Sequence, residues 1–71
     1  MSREKALAGI QMEIARMARS CSPVPDRTFV MGMIEMAEFC GLLSRLEANK
    51  YRDDLDAKFS ARHAHLKRVA A

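Results

Sequence analysis

One cluster of helix breakers, Ser20-Cys21-Ser22-Pro23-Val24-Pro25-Asp26, divides a sequence that is otherwise patterned for helix throughout. Before the cluster, Leu7, Ile10, Ile14, Met17 and Cys21 recur at steps of three and four, the spacing that gathers side chains on one helical face. That stripe predicts an amphipathic helix over about 3–19, with Ser2 as its cap and Glu4 in the first turn, where a negative charge suits the helix dipole. The cluster itself, 20–26, reads as an inter-helix turn, and Asp26 as the cap of a second helix over about 27–40. Gly41 can take the left-handed conformation that ends such a helix. Ser44-Arg45-Leu46-Glu47 then matches the S-x-x-E capping box, so a third helix is expected over about 45–68, with 69–71 frayed. No alternating run bounded by hairpin turns is present. The fold class is all-α: a small three-helix unit in one domain, 1–71.

Length limits what this unit can do alone. Seventy-one residues are too few for two cores, and a domain this short is marginal because burial and ordering entropy nearly cancel. The second helix makes the shortage acute. On a helical wheel its apolar residues, from Phe39 and Gly32 through Met36, Phe29 and Met33 to Ile34, fill an arc of roughly 220°, about twice the face of an ordinary surface helix. Two intrachain neighbours could cover most of that arc, or part of it could face a second chain. The third helix adds to the surplus. At 1.5 Å per residue it would reach about 36 Å against about 21 Å for the second. Its narrow seam of Ala48, Tyr51, Leu55, Phe59, Leu66 and Val69 then has no intrachain surface along its whole length. A homodimer would cover both excesses, with Phe29, Met33, Met36, Leu55, Phe59 and Leu66 as the interface, whether with a second copy or with a foreign protein. Met31, Met33 and Met36 make the second helix a soft, adaptable surface, although methionine at helical spacing also serves as ordinary core filling.

Catalytic and ligand-binding patterns are missing from the sequence. Cys21, Cys40, His63 and His65 have no metal-ligand spacing, and Asp53, Asp54 and Asp56 lack the glycine and terminal glutamate of a calcium loop. With Lys50, Arg52 and Lys58 nearby, those carboxylates read as a solvated, salt-bridged face. The three glycines lie far apart, so there is no phosphate-cradling loop, and no nucleophile sits beside an oriented histidine. The expectation is a protein that is not an enzyme and takes no cofactor. Its start lacks the apolar core of a signal peptide, its longest apolar stretch is too short and too charged to span a bilayer, and two cysteines do not make a disulfide framework. These features point to the cytoplasm and away from the membrane.

Charge favours a protein partner over a nucleic acid. The formal charge is +3, and the thirds 1–25, 26–49 and 50–71 carry +2, −2 and +3, so the middle is acidic. Arg52, Arg62, Lys67 and Arg68 form the basic surface of the third helix, through which the chain could touch nucleic acid or steer a partner. Helices two and three resemble a helix-turn-helix only superficially. Asn49, Lys50 and Asp53 stand where a reader helix needs apolar anchors, and Asp53, Asp54 and Asp56 would face phosphates. The leading expectation is therefore a small interaction module acting as a regulator, inhibitor or assembly accessory. The alternative is a nucleic-acid-associated accessory or transcriptional regulator using the basic third helix.

Overall fold

Ser2 opens the first helix as its composition predicts: its side chain accepts from the Lys5 N–H at 3.2 Å, and Glu4 occupies the first turn. The computed structural model describes residues 2–70 and is all-α. Helix α1 runs Arg3–Arg16, a single 3₁₀ turn follows over Met17–Arg19, and helices α2 (Pro23–Phe39) and α3 (Arg45–Ala70) complete the order. Among the described residues there is no strand, and no helix is long and apolar enough to cross a membrane.

The breaker cluster behaves differently from its sequence reading. Helix α2 starts at Pro23, not Arg27, and both prolines lie in its first turn. The first four N–H groups of a helix have no intrahelical acceptor, so a proline there gives up no hydrogen bond and brings a φ already suited to helix. Asp26 is consequently a first-turn acid rather than the cap. Its N–H donates to the Ser22 carbonyl, and its carboxylate accepts from the Ser20 hydroxyl. Ser20 is buried and also accepts from the Ser22 N–H at 3.1 Å, so one hydroxyl ties the link to the helix it precedes. Cys21, expected on the stripe of the first helix, is exposed beyond the 3₁₀ turn.

The α2–α3 junction follows from local chemistry. Gly41 has φ 76°, in the left-handed region. The Leu42 N–H reaches the Ala37 carbonyl at 2.9 Å and the Gly41 N–H reaches that of Glu38 at 3.0 Å, the paired bonds of a Schellman stop. The capping box then starts α3: the Glu47 N–H donates to Ser44 Oγ at 3.1 Å, and the Ser44 N–H donates to Glu47 Oε1 at 3.0 Å. Glu47 is also clamped by Arg3, whose guanidinium meets both carboxylate oxygens at 3.1 and 2.6 Å and donates to the Leu42 carbonyl at 2.8 Å. One side chain thus locks the start of α1 to the start of α3.

That clamp should be visible as an acid transition. The Arg3 hydrogen bonds, followed by the donor from the Ser44 backbone, hold the Glu47 carboxyl down to about 2 from an ordinary 4.5. A depressed folded pKa means the unfolded chain binds the proton more readily. The stabilisation is therefore complete above pH 4.5 and is lost as pH falls from there towards 2. Thermal melts of Glu47→Gln should run parallel to wild type above pH 5 and converge on it below pH 3. Unchanged separation across that window would remove Glu47 from the acid response.

The core joins all three helices. Ile10, Ile14 and Met17 meet Val30, Ile34 and Ala37 of α2, Leu43 of the junction, and Ala48 and Leu55 of α3. Helix α3 is 26 residues, or about 39 Å at 1.5 Å per residue, and the molecule is 43 Å in its longest dimension. Its tail is not an unsupported overhang. Because α2 begins one turn early, Pro23, Val24 and Pro25 lie beside His63 and Leu66. Arg62 Nε donates to the Ser20 carbonyl at 2.8 Å. Phe59 stacks on His63 at 5.3 Å between centroids and carries the Arg27 guanidinium over its face at 5.4 Å. Arg27 in turn pairs with Asp56 at 2.7 Å. Val69 and Ala70, expected to fray, are helical, and Ala71 lies outside the described residues.

Candidate functional site

Helix α2 has two apolar faces, and the core takes only one of them. Pro23, Val30, Ile34 and Ala37 point inward. On the far side Pro25, Phe29, Gly32, Met36, Phe39 and Cys40 fall within about 100° of one another on the helical wheel, and all are exposed. The large ones are strongly so: Phe29 is 61%, Met36 62% and Phe39 88% accessible. Isolated exposed apolar residues are normal on a protein surface; here they form a contiguous set on one helix.

The face deepens into a groove of about 660 Å³ where it meets α1. Ala6 and Ile10 supply the α1 wall, and Met33 and Leu42 line it further. Met33 reaches α1 at Gly9, where an added Cβ would stand 3.8 Å from its Cε. No formally charged side chain lines this groove. Its one hydroxyl, that of Thr28, already donates to the Val24 carbonyl at 3.2 Å. Such a surface can exclude water from an apolar partner.

Gly32 sits at the middle of the face. In a helix interior glycine costs about 1 kcal/mol relative to alanine. An added Cβ would meet nothing within 4 Å, so no packing inside the chain accounts for its small size. What Gly32 does provide is a flat, open stretch of helix backbone flanked by Phe29 and Met36.

Of the residues expected at an interface, Phe29, Met33 and Met36 come together on this surface. Leu55, Phe59 and Leu66 do not. Leu55 is fully buried in the chain's own core and is unavailable to any partner. Phe59 is half-buried between Arg27 and His63, and Leu66 is half-buried against the start of α2. Sequence periodicity marks such residues as buried without saying by which chain. The residues it passed over as anchors are Gly32, Phe39 and Cys40, together with Met12 and Leu46, which are also exposed. Their signal was the 220° arc itself, once the roughly 60° that faces the core is subtracted.

Half of the basic surface is engaged inside the chain. Arg52 pairs with Glu38 at 2.8 Å, Arg45 meets the same carboxylate at 2.6 Å, and together they hold Glu38 below the usual carboxylate range. Arg62 is spent on the Ser20 carbonyl. Lys67 and Arg68 remain exposed on the last turns of α3. Asp54 and Asp56 pair with Lys58 and Arg27. No group of three or more His, Cys, Asp or Glu side chains converges among the described residues, and Cys21 and Cys40 are free and exposed. Compared with known proteins, the chain matches no family model, no curated protein and no solved structure.

Proposed function

We propose that the chain is a non-enzymatic protein–protein interaction module that acts as a small regulator, inhibitor or assembly accessory, and that its working surface is the outer face of α2. The observation that carries this reading is the uncharged, exposed set of Phe29, Gly32, Met36 and Phe39 above the groove. Hot spots at protein interfaces are large apolar side chains buried at the centre of contact, and charged residues are depleted there. The setting we assign is the cytoplasm, where the exposed Cys21 and Cys40 thiols would stay reduced. The alternative, phosphate binding along α3, would rest on the exposed Lys50, Lys67 and Arg68; Arg52 is offset by Glu38, and Asp53 and Asp54 on the same helix would face phosphates unfavourably.

A photo-crosslinking amino acid at Met36, in the cells that express the chain, tests the reading. A matched probe at the exposed residue Lys50 of α3 is the control. Discrete protein adducts are expected from position 36 and none from position 50. Equal labelling at both positions, or no adduct at position 36, would overturn the proposal.

A further inference from the structure

We infer that the occupant of this face is a second copy of the chain, packed with its α2 antiparallel to the first across a two-fold axis passing between residues 32 and 33. The inference rests on the preceding reading of the α2 face as a binding surface, and names its partner.

The order of residues along the face is self-complementary about that axis. An antiparallel two-fold with its midpoint between 32 and 33 sets Phe29 of one copy on Met36 of the other, and Met36 on Phe29 in return. Pro25 comes opposite Cys40 at each end, and Gly32 lies beside its own equivalent. All of these residues are exposed on one copy. A two-fold interface uses one patch twice, so every contact has to be made by two members of the same set. This patch meets that requirement, with a large side chain facing a large one and the glycines adjacent.

Gly32 supplies the close approach. With no Cβ and nothing of its own chain within reach, it lets a second helix backbone come near on that flank while the Phe29 and Met36 side chains interlock on either side. Charge is consistent with self-association. Like charges meeting across a two-fold would be penalised twice, and the arc of the face carries none: Arg27 is engaged with Asp56 and Glu38 with Arg52, while Glu35 stands on the rim beside Phe39, so the two Glu35 carboxylates are the one like-charge pair that the dimer has to leave in solvent. Area places the contact at the weak end. Phe29, Met36 and Phe39 at their exposures offer on the order of 450 Å² per copy, so their complete burial gives about 900 Å² per dimer, and the flanking Pro25, Met33 and Cys40 bring it at most near the roughly 1,200 Å² at which specific interfaces begin. Such a dimer should dissociate on dilution.

Sedimentation equilibrium of the full chain from roughly 1 mM to 1 µM, the range in which such contacts dissociate, is the test. The expected mass rises from 8.0 kDa towards twice that value with concentration. Met36→Glu should remain at the monomer mass at concentrations at least about 30-fold higher, with unchanged helical circular dichroism because the side chain is exposed. In a Cys21→Ser background that keeps Cys40, Pro25→Cys should give a covalent dimer through Cys40 of the second copy with diamide as the two-electron oxidant, and Lys50→Cys should not. A wild-type chain that stays monomeric at 1 mM overturns the inference, as does a dimer indifferent to Met36→Glu. Monomers that still yield adducts of a foreign protein from position 36 in cells would refute the second copy and leave the binding face intact. Monomers with no adduct would remove both.

Discussion

Leu55→Ala should lower the stability of the chain by about 2–5 kcal/mol, the usual cost of emptying a fully buried leucine site. Leu55 is completely enclosed and belongs to the cluster that includes Ile10, Ile14 and Ile34. At about 0.05–0.15 kcal/mol per residue, a chain of this length has only about 4–10 kcal/mol to lose. With each kcal/mol worth about 4–8 °C in a domain this small, the midpoint of thermal unfolding should drop by roughly 10–30 °C. Circular dichroism melts of wild type and variant give the number. Concentration identifies the origin of the loss. A leucine at a subunit contact would show a penalty that vanishes on dilution, when wild type also dissociates. Loss from the core persists at every concentration and in a Met36→Glu background. A drop smaller than about 1 kcal/mol would mean that Leu55 is not held as the packing shows.

Leu55 also shows where a sequence stops being informative. Its place in the stripe from Ala48 to Leu66 says that one face of α3 is covered, and the same period would arise from a partner chain or from α1 and α2. For Leu66 the choice depends on where α2 begins, and that depended on Pro23 and Pro25. Read as breakers they push the helix start to Arg27 and leave the tail of α3 uncovered; as first-turn residues they extend α2 beneath His63 and Leu66. The extra turn therefore gives Leu66 a surface of its own chain, while Leu55 and Phe59 are covered by residues such as Ile14, Arg27 and Ile34 that already lay in the expected helices. Gly41 and the Ser44/Glu47 box were legible because their bonds close within six residues of chain. Arg52 and Arg62 were not, since their partners Glu38 and Ser20 are 14 and 42 residues away and charge counting cannot pair them. The surplus on α2 was legible as an arc, and the structure divides it into a half that the core uses and a half that it leaves in water.

Ala48→Leu should destabilise the fold by about 1–3 kcal/mol, where a leucine at Gly32, a larger increase in size, should not. Both positions carry small residues in helix interiors; helix propensity is nearly neutral for Ala48→Leu and favours Gly32→Leu, since leucine is close to alanine and far better than glycine. The difference is what stands opposite. Ala48 has no accessible surface and lies in the cluster with Ile34 and Leu55, so three added carbons must displace packed side chains or bend α3 away from α2. At Gly32 the added atoms enter open space. Chemical denaturation of the two variants at a concentration where wild type is monomeric separates the cases: the midpoint should fall for Ala48→Leu and hold or rise for Gly32→Leu. At high concentration the ranking should change character. Gly32→Leu would then lose the close helix approach and with it the dimer, while Ala48→Leu, whose side chain lies away from the α2 face, should still associate to the extent that it is folded. Small size at Ala48 would thus be a requirement of the chain's own packing, and at Gly32 a requirement of what binds it. If Gly32→Leu lowers the monomer's stability as much as Ala48→Leu does, the space above Gly32 is not open and the α2 face loses its centre.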